Sequence, residues 1–163
     1  MATGTLIFDM AGAIPADGTG SGNNPSQAAI RVSTGVQLTN APKMTVVEWL
    51  FDSDTDEHLA WSFRMPENYA SGGTLKFLVA PFASQNSGLN FVVKSSLAAV
   101  IPTNSVYSKV FPTPDPTTIP LPSGIAAGTL VAGSLAYGST ALDSVAANSF
   151  VVLFVGRDAD NAT

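Results

Sequence analysis

The chain has 163 residues, 12% charged and 45% hydrophobic, with 7 basic and 12 acidic side chains, one histidine and no cysteine. A net charge of −5 with scattered basic residues speaks against the basic patch of a nucleic-acid binder. The missing cysteines exclude disulfides, thiol catalysis and cysteine-held metals, and no apolar run reaches the roughly 18–20 residues of a membrane helix.

Charge is scarce against the usual ~25%, and mean hydropathy is positive. A chain of this kind builds a thick β-sandwich core, is buried against other subunits, or does both. One domain, 1–163, is expected. The opening MATGTLIFDMAGAIP lacks the basic start and long apolar centre of a secretory signal, so synthesis in a cytoplasm is expected.

Thr5–Met10 alternates, with Leu6, Phe8 and Met10 on one side, and reads as a first strand. Residues 16–26 (ADGTGSGNNPS) form a loop. No lysine follows where a phosphate-binding loop needs one. Ala28–Leu38 is strand-like with a break at Gly35. Residues 1–44 thus read as an arm plus the first strands.

Val46–Phe82 carries the clearest signal. Leu59, Trp61, Phe63 and Met65 alternate with His58, Ala60, Ser62 and Arg64. Val47, Trp49 and Phe51, then Leu75, Phe77 and Val79, keep the same period of two. Three consecutive half-buried strands are expected to pair as a meander under a second sheet. Both tryptophans fall on apolar faces and read as core rather than as sugar-stacking platforms.

The loop Asp52–Glu57 (DSDTDE) resembles the start of a calcium loop. Glu57 stands where that loop needs glycine, and Phe63 where it needs a bidentate glutamate, so a turn built on Asx chemistry is the reading. His58 is a strand-start residue on the face opposite Leu59. A single histidine makes neither a multi-histidine metal site nor, without a placed nucleophile and carboxylate, a triad. Glu48, Glu57 and Glu67 are candidate acids for glycoside cleavage, but no spacing selects a pair.

Pro66–Gly73 and residues 83–88 are turns, and Leu89–Lys94 alternates again. Beyond them, residues 102–122 carry six prolines, at 102, 112, 114, 116, 120 and 122. Proline at this density cannot join a central sheet and favours extended polyproline II. The stretch reads as a crossing connection or an arm on a neighbour. An SH3-type ligand needs a basic anchor, and Lys109 is the lone cation nearby. Gly124–Ala141, with four glycines, reads as one or two strands against a tight neighbour. Ser149–Val155 (SFVVLFV), apolar on both faces, reads as a central strand or one under an intersubunit contact. With no helical period, the fold class is all-β: an antiparallel β-sandwich of seven to nine strands.

One group of residues resembles a known pattern. Trp61-Ser62-Phe63-Arg64-Met65-Pro66-Glu67-Asn68-Tyr69, Ser71-Gly72-Gly73, Leu75–Val79 and the closing Val151–Ala159 (VVLFVGRDA) are similar to the single jelly-roll of bacteriophage virion proteins, over about a third of the chain. The resemblance implies a non-enzymatic cement or decoration protein on the capsid exterior, without cofactor. It implies a homo-oligomer, a trimer by expectation, that binds the major capsid protein and neither nucleic acid nor membrane. Its extended segments would clamp capsomers, which makes Phe111, Pro112, Pro114, Pro116, Ile119, Pro120, Leu121 and Pro122 the candidate contact residues. A receptor- or carbohydrate-binding tail-fibre head, and a polysaccharide-degrading domain, are the alternatives from other functional classes.

Overall fold

The computed structural model describes residues 4–15, 29–34, 45–101 and 109–159. The glycine-rich loop 16–26, the break at Gly35, the proline at 102 and the last four residues lie outside them. The described residues hold nine strands: β1 (Ile14–Pro15), β2 (Ala29–Thr34), β3 (Thr45–Leu50), β4 (Glu57–Arg64), β5 (Thr74–Val79), β6 (Leu89–Val100), β7 (Asp115–Leu121), β8 (Val131–Ala136) and β9 (Phe150–Arg157). Two short 3-10 turns, Met10–Gly12 and Thr140–Leu142, are the only helical pieces among them.

All pairings are antiparallel. A five-stranded sheet runs β1-β4-β9-β6-β7, and two-stranded sheets pair β2 with β3 and β5 with β8. The expected meander does not form. β3, β4 and β5 lie in three different sheets, because the loops between them carry the chain from one sheet to another. Each strand takes its partner from far along the chain: Glu57 lies opposite Arg157, and Leu75 opposite Leu135. The later pairings are nested, β6 with β7 inside β5 with β8 inside β4 with β9.

The inner face of the large sheet carries Leu59 and Trp61 from β4, Val151 and Leu153 from β9, and Leu97 from β6. Leu75 and Tyr137 cover it from the β5–β8 side, and Trp49 and Phe51 from the β3 side. A polar staple joins the layers: Ser95 Oγ lies 2.7 Å from the Tyr137 hydroxyl, and Ser95 Oγ also donates to the Phe154 carbonyl at 2.5 Å. Burial pushes the Tyr137 phenol up to about 12; its hydrogen bond with Ser95 acts in the opposite sense, and Asp115 adds to the rise. β8 fits closely because Gly133 lies under the Phe77 ring, its cross-strand partner.

Thr5–Met10 is not a strand. Asp9 caps the first 3-10 turn by accepting from the Ala11 N–H at 3.0 Å. Two indoles pin this segment. Trp61 Nε1 donates to the Asp9 carbonyl at 2.9 Å, and Trp49 Nε1 to the Met10 carbonyl at 2.8 Å. Trp61 is a core residue and Trp49 a half-buried one packed against the core, and the N–H group of each is used, as a buried indole requires. β9, the two-sided apolar run, is central, between β4 and β6.

The proline-rich stretch departs from the expected connection. Its second half is β7, the edge of the large sheet. The Asp158 N–H donates to the Val92 carbonyl, so the even residues of β6 bond β9, and the odd ones bond β7. The opposing odd residues of β7 complete that ladder. Pro116, Thr118 and Pro120 therefore turn their backbone to the free side, where proline removes nothing from the sheet.

Candidate interaction surface

The outer face of the five-stranded sheet can be read row by row from the register. One end is charged. His58, Gly156, Lys94 and Pro116 share a row, flanked by Asp56 and Asp158. Lys94 pairs with Asp56 and lies 3.9 Å from Asp158. Asp56 also accepts from the Ala159 N–H at 2.7 Å. Burial raises the Asp56 carboxyl, but the Lys94 and Ala159 bonds outweigh it and hold it below its usual range. His58 is half-buried, with its ring 4.8 Å from Phe154. Burial lowers its pKa, Lys94 lowers it further, and Asp56 opposes both.

The next three rows are apolar. Ile14, Ala60, Phe154 and Ser96 align across four strands, then Ser62, Val152 and Ala98, then Arg64, Phe150 and Val100. Arg64 is the one charged residue among them, and its Nε donates to the Asn148 carbonyl. Ile14 and Phe150 are exposed, whereas Ser96, Ala98 and Phe154 of the same rows are buried. A solvated antiparallel face is ordinarily polar.

A strap crosses this face. Lys109 pairs with Asp143 at 2.5 Å, and the Phe111 ring packs 5.3 Å from Phe154. Asp143 also accepts from the Ala99 N–H at 2.9 Å, an N–H on the edge beyond the end of β7. Val110, in the strap, is exposed.

The structure separates the candidate contact residues. Phe111, Pro116, Pro120 and Pro122 are exposed, and Pro112 and Pro114 half-buried. Ile119 and Leu121 are interior, 4% and 7% exposed, because the odd residues of β7 face the core. Those two hold the fold and are withdrawn as contacts.

The acidic loop works as a turn. Asp52 Oδ1 accepts from the Asp54 N–H at 2.9 Å, and Glu57 Oε2 from the Asp52 N–H at 2.5 Å. Glu57 is only 5% exposed, opposite Arg157, whose guanidinium donates to the Asp52 carbonyl at 2.6 Å and lies 5.1 Å over the Phe91 ring. No group of three His, Cys, Asp or Glu able to hold a metal occurs among the described residues. Glu48, Glu57 and Glu67 sit on β3, on β4 and in the following loop, respectively.

The strap, residues 109–114, is the described part of the crossing connection expected over 102–122, and the second apolar face of SFVVLFV, Phe150, Val152 and Phe154, contributes one residue to each of the three rows. The sequence did not show that Ile14, Ala60 and Ser96 align with Phe154. The chain matches no protein-family model, no curated protein and no solved structure.

Proposed function

We propose that the chain is a structural protein of a bacteriophage virion, a cement or decoration protein of single jelly-roll topology on the capsid exterior. In this reading it associates with copies of itself, as a trimer, and bridges major capsid protein subunits without catalysis. The observation that carries the reading is a set of exposed apolar side chains on the outer side of the largest sheet, Ile14, Phe150 and, in the strap, Val110 and Phe111, around the buried Phe154. An isolated subunit gains nothing by exposing these side chains together, whereas an assembled one buries them. The nested pairing of β4 to β9 supports the topology, since a long hairpin rolled up on itself pairs in this order. The Trp61-to-Gly73 and Val151-to-Ala159 motifs support the family resemblance.

The test mixes the purified chain with shells assembled from the major capsid protein alone. Saturable co-sedimentation, with shells that withstand higher temperature than bare ones, is the expected result. A chain that stays in the supernatant, or that cleaves members of a glycan panel, overturns the reading.

A further inference from the structure

The β5–β8 sheet has a free edge whose chemistry can be read from one hydrogen bond. The Tyr137 N–H donates to the Gly73 carbonyl at 3.0 Å. Bonded pairs of an antiparallel ladder recur every second residue. Leu75, Phe77 and Val79 therefore bond to β8, and Thr74, Lys76 and Leu78 turn N–H and C=O outward. The far side of β8 obeys the same parity: the Ser134 carbonyl, turned away from β5, accepts from Thr117 Oγ1 at 3.2 Å. β8 is thus covered by β7, while the outward groups of β5 have no partner among the described residues.

The outer edges of β5 and β7 differ. On β7, two of the three outward positions are prolines, which cannot donate to an added strand. On β5 all three outward N–H groups are present. Leu78 is 63% exposed. A shallow hollow of about 390 Å³, bounded by Lys76, Leu78, Ala132 and Ser134, adjoins the edge. Lys76 makes no ion pair with a described residue, whereas Lys94 and Lys109 both do.

We propose that the free edge of β5 docks an extended segment of a partner protein, adding a strand antiparallel or parallel to Thr74–Val79. The segment carries a carboxylate opposite Lys76 and an apolar side chain beside Leu78, over the hollow. Main-chain bonds to Thr74, Lys76 and Leu78 supply affinity, and the carboxylate supplies register. Charge selects a partner over a second copy. The one two-fold register that uses all three residues sets Lys76 against Lys76, a like-charge pair. Such an edge takes an acidic strand in a shell or in any other setting.

The experiment titrates the isotope-labelled chain with two capped seven-residue peptides of alternating threonine and valine, one with a central glutamate and one with a central lysine. Amide resonances report binding. The glutamate peptide is expected to give saturable shifts at Thr74, Lys76 and Leu78. The lysine peptide should bind at least about fivefold more weakly. Lys76→Glu reverses that preference, and Leu78→Pro, which deletes one outward donor and no β8 bond, removes binding while the thermal midpoint holds. If Leu78→Pro fails to fold, the Lys76→Glu reversal decides. No saturable shift, equal binding of the two peptides, or shifts centred away from β5 overturn the proposal. So does self-association of the unaltered chain that Leu78→Pro abolishes, which assigns the edge to a second copy.

Discussion

Single residues set the tolerances of this fold. At Gly133 an added Cβ would lie 2.7 Å from one Phe77 ring carbon and 2.9 Å from Ile119 Cδ1. Gly133→Ala is predicted to cost about 1–3 kcal/mol, read as a lowered denaturant midpoint. Adding Phe77→Leu should recover part of it, a coupling that a double-mutant cycle measures. The charged row makes a second prediction. His58 has a folded pKa below its ordinary 6.5, so the unfolded chain takes up a proton first. The stability from neutral His58 is complete above pH 6.5 and is lost as pH falls through the lowered folded value. Asp56, held below 3.8, loses its contribution only in stronger acid. Unfolding followed against pH should therefore show two separate declines, and His58→Gln should remove the upper one alone. A His58→Gln profile that keeps both declines would assign the upper one to another group.

Strands were legible to the extent that their side chains alternate. The faces of β4 and β5 follow directly from residues such as Leu59 and Phe77, because period two depends only on the residue's own neighbours. Partners were not legible. Nothing in the alternation around Trp61 says that Leu153, rather than Trp49 or Phe77, stands beside it. Thr5–Met10 failed for a related reason: its alternation is real, but two indole N–H groups and the Asp9 cap hold its backbone instead of a ladder. β7 was misread because proline density was weighed without parity. Pro116 and Pro120 are both even, and one parity of an edge strand needs no donors. Replacing both with threonine restores two outward N–H groups. The double variant is predicted to unfold within about 1 kcal/mol of the parent. It should also associate more strongly, as light scattering against concentration would register; unchanged scattering would show that prolines do not guard this edge.

For the whole molecule, the central issue is a sheet with apolar residues on both sides. The inner side is covered by β5, β8 and the β3 region; among the described residues the outer rows meet the Lys109–Pro114 strap, and Ile14 and Phe150 stay exposed beside the buried Phe154. Phe150 is 46% exposed, so Phe150→Asp should leave the thermal midpoint within a few degrees. The same change should weaken binding to bare shells by at least about tenfold, if the face is a contact centre. The sequence carried the composition behind this face, in its low charge and in SFVVLFV, but not its location, which depends on β9 lying between two strands from elsewhere in the chain. On the proposed reading as a virion component, the most direct measurement is the abundance of the protein in purified phage particles, by quantitative mass spectrometry against the major capsid protein. The account predicts a fixed ratio, with copies on the scale of the shell subunits. Absence from the particle, or a copy number on the scale of a tail component, would contradict it.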